Sequence, residues 1–196
     1  MNQQLTEIKK RITNKTTILF DLDGTLVDTD YANFLSYKKV ISHIYPDKAE
    51  LDFNSNERFT RTTLERLFKN LSKKDIDEII RLKEEIYSNY LDKTNIIEFT
   101  KKVLEEFHKT NTTVLVTNCR EVRAKQILKH HNLSKFFTHF FFREISENGE
   151  HINKFKNVLN KLNIKPEDIL AFENEDFEIQ EAIKSGISMK NIIAIK

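Results

Sequence analysis

Five short runs of apolar, β-branched or aromatic residues recur along the chain and predict buried strands. They span residues 16–20, 112–116, 138–142, 168–172 and 191–195. Amphipathic helical patterns separate the last four runs. Because parallel strands are joined by crossover connections that are usually helices, this alternation predicts an α/β fold with a parallel sheet covered on both faces.

The helical patterns also predict which side chains are buried. Val122, Ile127 and Leu128 lie near one face of the helix that follows the second strand. The phenylalanines of residues 136–142 are interpreted mainly as core strand and its approach.

The stretch between the first and second strands is too long for a single crossover connection. Within residues 30–92 the sequence reads as helices only. These helices are expected over residues 31–45, 56–71 and 73–91, with breaks at residues 45–47 and 70–75, and a further helix at 95–109 returns to the sheet. The predicted organisation is therefore a core of residues 1–29 and 93–196 with an inserted all-helical domain of residues 30–92.

Charge and composition exclude several classes of function. The 32 basic and 30 acidic residues are interspersed and leave a net charge of only +2, which argues against a dedicated nucleic-acid surface. No apolar run approaches the roughly 18 residues of a membrane span, and residues 1–17 lack the apolar core of a secretory signal. The single cysteine, Cys119, permits no intramolecular disulfide, so a cytoplasmic location is expected.

Polar residues follow three of the predicted strands directly. Asp21 follows the first strand, Thr117 the second and Glu173 the fourth, while Lys154 opens the helix before the fourth strand. The carboxyl ends of parallel strands lie at one edge of a sheet, where ligands bind, so we expect these side chains to share a site. Lys156 remains open as an alternative to Lys154.

The chemistry of this set suggests phosphoryl transfer. Crowded carboxylates such as Asp21 and Asp23 need a cation between them, and Mg²⁺ prefers oxygen ligands and shares its shell with phosphate. A carboxylate can attack phosphorus, and a second carboxyl can act as acid and then base. Thr117 and Lys154 would supply donors and positive charge for the phosphoryl oxygens.

The segment "DLDGT" at residues 21–25 is the most informative motif. Its ordinary interpretation is a surface turn, because Asp-Gly is a common hairpin signal. Its position after a strand, with the later polar residues in order, favours a catalytic interpretation. We expect Gly24 to allow a tight turn, and the backbone amides of the turn, including Thr25, to be free to bind phosphate.

These motifs together resemble the haloacid dehalogenase-like superfamily, on its phosphatase and β-phosphoglucomutase side. "DLDGTLVDTD" is similar to the first motif of that family and "VLVTNCR" to the second. "NKFKNVLNKLNIKPEDIL" occupies the place of the third, and "FENEDFEIQEAIKSGI" is similar to the fourth. The resemblance covers residues 16–195 and implies a Rossmann-like three-layer core, with the helical insertion as a mobile cap.

The resemblance also implies roles for individual residues. Asp21 would be the nucleophile and a Mg²⁺ ligand, and Asp23 the acid and base with its backbone carbonyl on the metal. Thr117 and Lys154 would bind the transferring phosphoryl group, with Asn118 beside them. The implied activity is a Mg²⁺-dependent phosphohydrolase that acts on a small phosphomonoester through an aspartyl-phosphate.

One departure from the family pattern concerns the fourth motif. Relatives of this branch usually carry Glu-Asp or Gly-Asp where this chain has Glu173 and Asn174. Asparagine offers an oxygen without a charge, so Glu173, Glu175 or Asp176 would have to compensate for the missing charge. We expect Glu173 to be the main metal ligand of this motif, with Asn174 beside it. Two alternatives remain open: a phosphomutase, and a catalytically weak protein that binds a metabolite or regulates.

Overall fold

The computed structural model describes residues 2–48, 50–55, 57–149 and 151–196. The described chain forms two compact units, Met1–Val27 with Ile96–Lys196, and Asp28–Asn95. In chain order the strands are β1 (Thr17–Phe20), β2 (Val27–Asp28), β3 (Asn95–Ile96), β4 (Thr113–Val116), β5 (His139–Phe141), β6 (Ile169–Glu173) and β7 (Ile192–Ala194). The α-helices are α1 (Asn2–Lys9), α2 (Asp30–Ile44), α3 (Arg61–Leu67), α4 (Lys73–Ile86), α5 (Glu98–Phe107), α6 (Glu121–His130), α7 (Lys154–Leu162) and α8 (Asp176–Lys184).

Short 3₁₀ helices complete the secondary structure. They cover Pro46–Lys48, Tyr87–Lys93, Ser134–Phe136, Pro166–Asp168 and Met189–Asn191. The first of them lies at the break predicted around residues 45–47. Within the described ranges, no helix is both long and apolar enough to cross a membrane.

A parallel sheet of five strands forms the centre of the first unit. Its strand order is β5-β4-β1-β6-β7, and every neighbouring pair is parallel. Each strand coincides with one of the five predicted apolar runs, and helices follow the strands as expected. The predicted α/β, Rossmann-like sheet is therefore confirmed. The other two strands, β2 and β3, form a separate two-stranded sheet.

Apolar side chains cover both faces of the parallel sheet. Strand β1 is buried along its whole length, as a central strand between two layers must be. On one face Leu19 and Val114 pack with Phe155 of α7. On the other, Phe20 stacks on Phe172 of β6, with 4.9 Å between the ring centroids. The parallel register of β1 with β4 and with β6 brings the carboxyl ends of these three strands to one edge of the sheet.

The structure corrects several details of the sequence prediction. Val122 is 71% exposed, and the buried residues of α6 are Ala124, Ile127 and Leu128. Phe140 is 39% exposed, because β5 lies at the edge of the sheet. Helix α1 was not predicted, since its sequence has little apolar periodicity.

The second unit is helical, built on α2, α3 and α4. Their apolar faces form one cluster that includes Phe34, Leu64 and Ile79. Helix α3 is shorter than the predicted 56–71. Thr60 starts it through a capping box with Thr63. Asn56, the first residue of the predicted helix, lies outside the described residues.

Candidate active site

Lys154 is placed by the start of α7. Asn153 caps this helix, and its Oδ1 accepts hydrogen bonds from the backbone N–H groups of Phe155 and Lys156, both at 3.0 Å. The Nδ2 of Asn153 donates to Glu181 Oε2 of α8 at 2.8 Å. The beginning of α7 is thus tied to α8, which fixes the backbone from which Lys154 extends.

The Lys154 ammonium lies among carboxylates at the carboxyl edge of the sheet. Its Nζ donates to Asp21 Oδ1 at 2.8 Å and to Glu173 Oε2 at 2.7 Å. Glu178 Oε2 of α8 lies 3.7 Å from the same nitrogen. Burial alone lowers the pKa of a lysine, but the three carboxylates outweigh it and hold the pKa of Lys154 above its ordinary value. The ammonium therefore stays charged.

Glu173 uses both of its carboxylate oxygens. Oε2 accepts from Lys154, and Oε1 accepts from the backbone N–H groups of Asn174 at 2.9 Å and Glu175 at 3.1 Å. Burial, followed by the charge of Asp21, raises the pKa of Glu173 to about 7 despite the nearby ammonium. These contacts favour a role in holding Lys154 and the loop after β6, which differs from the predicted role as the main metal ligand.

Asp21 and Asp23 lie side by side just beyond β1, and both are buried. The backbone N–H of Asp21 donates to the Phe172 carbonyl at 3.1 Å, which continues the sheet pairing into the site. Burial raises the pKa of Asp21, against the effect of Lys154, and the charge of Asp23 raises it further. Arg123 Nη2 donates to Asp23 Oδ2 at 3.4 Å.

The turn at residues 24–25 is closed by its own backbone hydrogen bonds and lies against the loop after β6. Gly24 has φ of +79°, and a Cβ at this position would come within 2.3 Å of Asn174 Nδ2, so the turn requires glycine. The Gly24 N–H donates to the Val27 carbonyl at 2.8 Å and the Thr25 N–H to the Leu22 carbonyl at 3.3 Å. The expectation that these two amides are free to bind phosphate is therefore wrong.

Thr25 connects the first motif to the fourth. Its hydroxyl donates to Asn174 Oδ1 at 3.1 Å, and its carbonyl accepts from the Thr100 hydroxyl of α5 at 2.6 Å. Thr25 is fully buried. Its contacts give it a structural role between the two loops.

The loop after β4 brings Thr117 and Asn118 to the same edge. Thr117 is buried, and its Oγ1 accepts from the Cys119 backbone N–H at 3.1 Å. Asn118 is exposed, and its Nδ2 donates to Glu178 Oε1 at 2.8 Å. Both residues thus lie on the loop that follows a central strand, as the sequence predicted.

The predicted site residues converge in part. Contacts link Asp21 with Lys154 and Glu173, and link Thr25 with Asn174. The ammonium that reaches Asp21 belongs to Lys154, whereas the Lys156 side chain is exposed.

Two residues of the site were missed by the sequence analysis. Glu178 lies five positions after Glu173 on the first turn of α8, and Arg123 lies four positions after Cys119 on α6. Helical spacing from the predicted loops could have indicated both, because a first-turn side chain lies near the preceding loop.

The model of one protein family matches residues 18–192, nearly the whole chain, and is described as haloacid dehalogenase-like hydrolase. The chain belongs to this family. This confirms the predicted family and, at the level of the family, the prediction of an enzyme. The curated relatives that the chain matches include phosphatases, which agrees with the predicted type of enzyme.

Three relatives illustrate the breadth of the match to the haloacid dehalogenase-like hydrolases. The chain is 26% identical to a phosphorylated carbohydrates phosphatase of Thermotoga maritima, over 87% of this chain and 81% of the relative. It is 22% identical to a fructose-1-phosphate phosphatase of Escherichia coli, over 89% and 95% of the two chains. A haloacid dehalogenase-like hydrolase from Streptococcus pneumoniae superposes with a TM-score of 0.72 at 21% identity, covering 93% of this chain and 85% of that one.

The charge of the site fits a dication, as this family leads one to expect. Four buried carboxylates, those of Asp21, Asp23, Glu173 and Glu178, meet the two cations Lys154 and Arg123. When all are ionised, these six groups carry an excess of two negative charges, and the raised pKa values of Asp21, Glu173 and Glu178 reflect that excess together with burial.

The set of side chains available to bind a metal ion is smaller than the predicted one, because Glu173 already binds Lys154 and two backbone amides. Across the described ranges, no group of three or more His, Cys, Asp and Glu side chains is arranged to hold a metal ion. With Glu173 engaged, the oxygens of Asp21, Asp23 and Asn174 are the donors that fit Mg²⁺ by their chemistry. The predicted metal site stays a prediction at the level of individual ligands.

Proposed function

We propose that this chain is a Mg²⁺-dependent phosphohydrolase that releases inorganic phosphate from a small phosphomonoester through an aspartyl-phosphate on Asp21. The observation that supports it most is the buried contact between Lys154 Nζ and Asp21 Oδ1 at 2.8 Å, with Asp23 two residues away. A lysine fixed against one carboxylate oxygen orients the other oxygen for attack and adds positive charge where phosphoryl oxygens would lie.

The proposed reaction has two chemical steps. Asp21 attacks phosphorus while Asp23 gives a proton to the leaving ester oxygen. Asp23 then takes a proton from the water that hydrolyses the aspartyl-phosphate. Lys154 and the Thr117 hydroxyl stabilise the phosphoryl oxygens in both steps.

Mg²⁺ would be held by Asp21, the backbone carbonyl of Asp23 and the amide oxygen of Asn174. When bound, it supplies positive charge that offsets the repulsion between the nucleophile and the phosphate dianion. Glu173 keeps Lys154 in place, and Glu178 adds to the same carboxylate cluster.

A sugar phosphate is the proposed class of substrate. The named relatives include phosphatases of phosphorylated carbohydrates and of fructose 1-phosphate. The proposed cap, residues 30–92, would select among such substrates, and the division of the chain into core and cap stays a prediction.

The test is release of inorganic phosphate from hexose, pentose and triose phosphates and from p-nitrophenyl phosphate, with and without Mg²⁺. We expect metal-dependent release that Asp21→Asn lowers by at least about 10³-fold, because the nucleophile is lost. Asp28→Asn is the matched control: Asp28 is an exposed aspartate of the same segment, and this variant should keep full activity.

Two further readouts complete the test. Borohydride trapping should detect an aspartyl-phosphate at residue 21 in the unmodified enzyme. Full activity of Asp21→Asn would exclude this mechanism, and absence of release from every ester would exclude the function. Conversion of a sugar phosphate to its isomer without release of phosphate would support the phosphomutase alternative instead.

A further inference from the structure

Arg123 connects the loop after β4 with the loop after β1. Its Nε donates to Cys119 Sγ at 3.0 Å, and its Nη2 donates to Asp23 Oδ2 at 3.4 Å. The pair with Asp23 is enclosed, since the arginine side chain is 13% exposed and the aspartate side chain 7%. Exposed ion pairs are worth little, but this one lies within the proposed site.

The thiol end of this connection is itself fixed. The Cys119 backbone N–H donates to Thr117 Oγ1 at 3.1 Å, and the Cys119 carbonyl accepts from the Arg143 N–H at 3.1 Å. The guanidinium is planar and rigid, so anchoring one nitrogen on the sulfur sets the direction of the others. One of them is directed at the Asp23 carboxylate.

We propose that Arg123 is a positioning residue that holds the Asp23 carboxyl in place for proton transfer to the leaving group. This inference rests on the proposed function. In the first step the Asp21–phosphorus bond forms, the phosphorus–ester oxygen bond breaks, and the Asp23 proton moves to that oxygen. The carboxylate left behind then lies against a permanent cation.

The alternative is a purely structural ion pair, and the leaving group distinguishes the two. An alkoxide is a poor leaving group and needs protonation as the bond to phosphorus breaks, whereas p-nitrophenolate leaves with little help. A misplaced Asp23 should therefore slow the first step, in which the leaving group departs, much more for an alkyl phosphate than for p-nitrophenyl phosphate. Hydrolysis of the aspartyl-phosphate is common to both esters, so the first step has to be measured by itself. General loss of structure would slow both equally.

The experiment compares Arg123→Met with the unmodified enzyme on the best sugar phosphate of the panel and on p-nitrophenyl phosphate. We expect the single-turnover rate of leaving-group release to fall about 10²-fold for the sugar phosphate and less than about threefold for the aryl phosphate. Lys125→Met is the matched control, since Lys125 is an exposed cation two residues further along the same helix. It should leave both rates unchanged.

Two more variants keep the test decisive if Arg123→Met folds poorly. Arg123→Lys keeps the charge but replaces the rigid fork, so it should show a smaller loss that is still selective for the sugar phosphate. In an Asp23→Asn background, Arg123→Met should change the residual rate less than about twofold, because its target is already gone.

Equal losses of the single-turnover rate on both esters in the two Arg123 variants, or no loss on either, would overturn the positioning role while leaving the phosphohydrolase intact. An unmodified enzyme that releases phosphate from neither ester would instead overturn the function itself, and this inference with it.

Discussion

Each of the two compact units buries a lysine side chain, and the two lysines differ in the carboxylates and aromatic rings around them. Lys154 in the first unit lies among carboxylates, which outnumber it three to one within 4 Å. Lys83 in the helical unit lies over aromatic rings, and its side chain is only 2% exposed. Both positions cost the desolvation of an ammonium, so both need compensation.

The buried ammonium of Lys83 is stabilised by aromatic rings and by a carboxylate. Its Nζ lies 5.0 Å from the ring centroid of Tyr37 and 5.2 Å from that of Tyr87, and it pairs with Glu84 at 2.9 Å. The contacts of Lys83 thus include a carboxylate and two neutral rings, which is an arrangement typical of stable packing.

Three carboxylates lie within 4 Å of the Lys154 ammonium, which is more negative charge than one lysine needs for neutralisation. Burial, together with the surplus of carboxylates, raises the pKa values of Asp21 and Glu173, and the surplus leaves negative charge for a cation to offset. Titratable groups with perturbed pKa values cluster at functional sites. The difference teaches that the balance of charge around a buried lysine, more than its burial, indicates a site of chemistry.

The largest expected effect is that of replacing Lys154, compared with replacing Lys156 on the same helix. Lys154→Met should lower kcat by about 10²–10³-fold, because the positive charge next to the transferring phosphoryl group is lost. It should also lower the free energy of unfolding by about 3–5 kcal/mol in the absence of Mg²⁺, because the buried carboxylates lose their partner. Steady-state kinetics and chemical denaturation measure the two effects.

Lys156→Met is the control for that comparison. Lys156 is exposed, so its loss should change neither quantity measurably. Equal effects of the two substitutions would contradict the assignment of Lys154 and restore Lys156 as a candidate.

A second prediction concerns the missing charge of the fourth motif. Asn174→Asp should tighten Mg²⁺ binding about tenfold, since a carboxylate replaces a neutral oxygen ligand. The Thr25 hydroxyl that now donates to Asn174 Oδ1 can donate equally well to aspartate, so the loop should be retained. Isothermal titration calorimetry measures the affinity. Asn160→Asp, at an exposed position of α7, controls for the change in net charge, and unchanged affinity at residue 174 would argue against that residue as a ligand.

A third prediction concerns the dependence of stability on pH. Burial and Asp21 raise the pKa of Glu173 from its ordinary 4.5 to about 7, so the folded protein without metal holds this proton more tightly than the unfolded chain does. The stability from this group is therefore fully present below pH 4.5 and is lost as the pH rises through 7.

Mg²⁺ should offset that loss. Its addition should raise the melting temperature by a few degrees more at pH 8 than at pH 5, where protonated carboxylates compete with it. Thermal denaturation followed by circular dichroism measures the shift. An increase of the same size at both pH values would show that the surplus charge does not drive metal binding.

The sequence predicted the sheet and its edge because these follow from short-range patterns. Apolar runs of four or five β-branched and aromatic residues are too short for helices and favour buried strands. Asp21 and Thr117 directly follow two of these strands, and Glu173 is the last residue of a third. Parallel strands then bring these residues to one edge without further information. The family motifs pointed to the same residues.

The partners of individual atoms could not be predicted in the same way. The roles of Glu173 and Thr25 depend on which nitrogen or oxygen each atom meets across distant loops. Arg123 and Lys83 were missed because each lies on an amphipathic helix, where a charged residue is usually exposed. The packing of the surrounding elements leaves the Lys83 side chain 2% exposed and the Arg123 side chain 13% exposed.

The smallest expected effect on activity is that of replacing Lys83, the buried lysine to which the comparison gives a structural role. Lys83→Met should lower the free energy of unfolding by about 1–2 kcal/mol, because the contacts of the ammonium with the Tyr37 and Tyr87 rings are lost while methionine still fills much of the space. It should change kcat less than about twofold and leave Mg²⁺ affinity unchanged, since Lys83 belongs to the helical unit and the proposed catalytic residues belong to the first unit. Lys73→Met, an exposed lysine at the start of the same helix, is the control for loss of a cation from α4. A large loss of kcat in Lys83→Met at unchanged stability would mean that the charge balance around a buried lysine does not separate structural from catalytic positions in this chain.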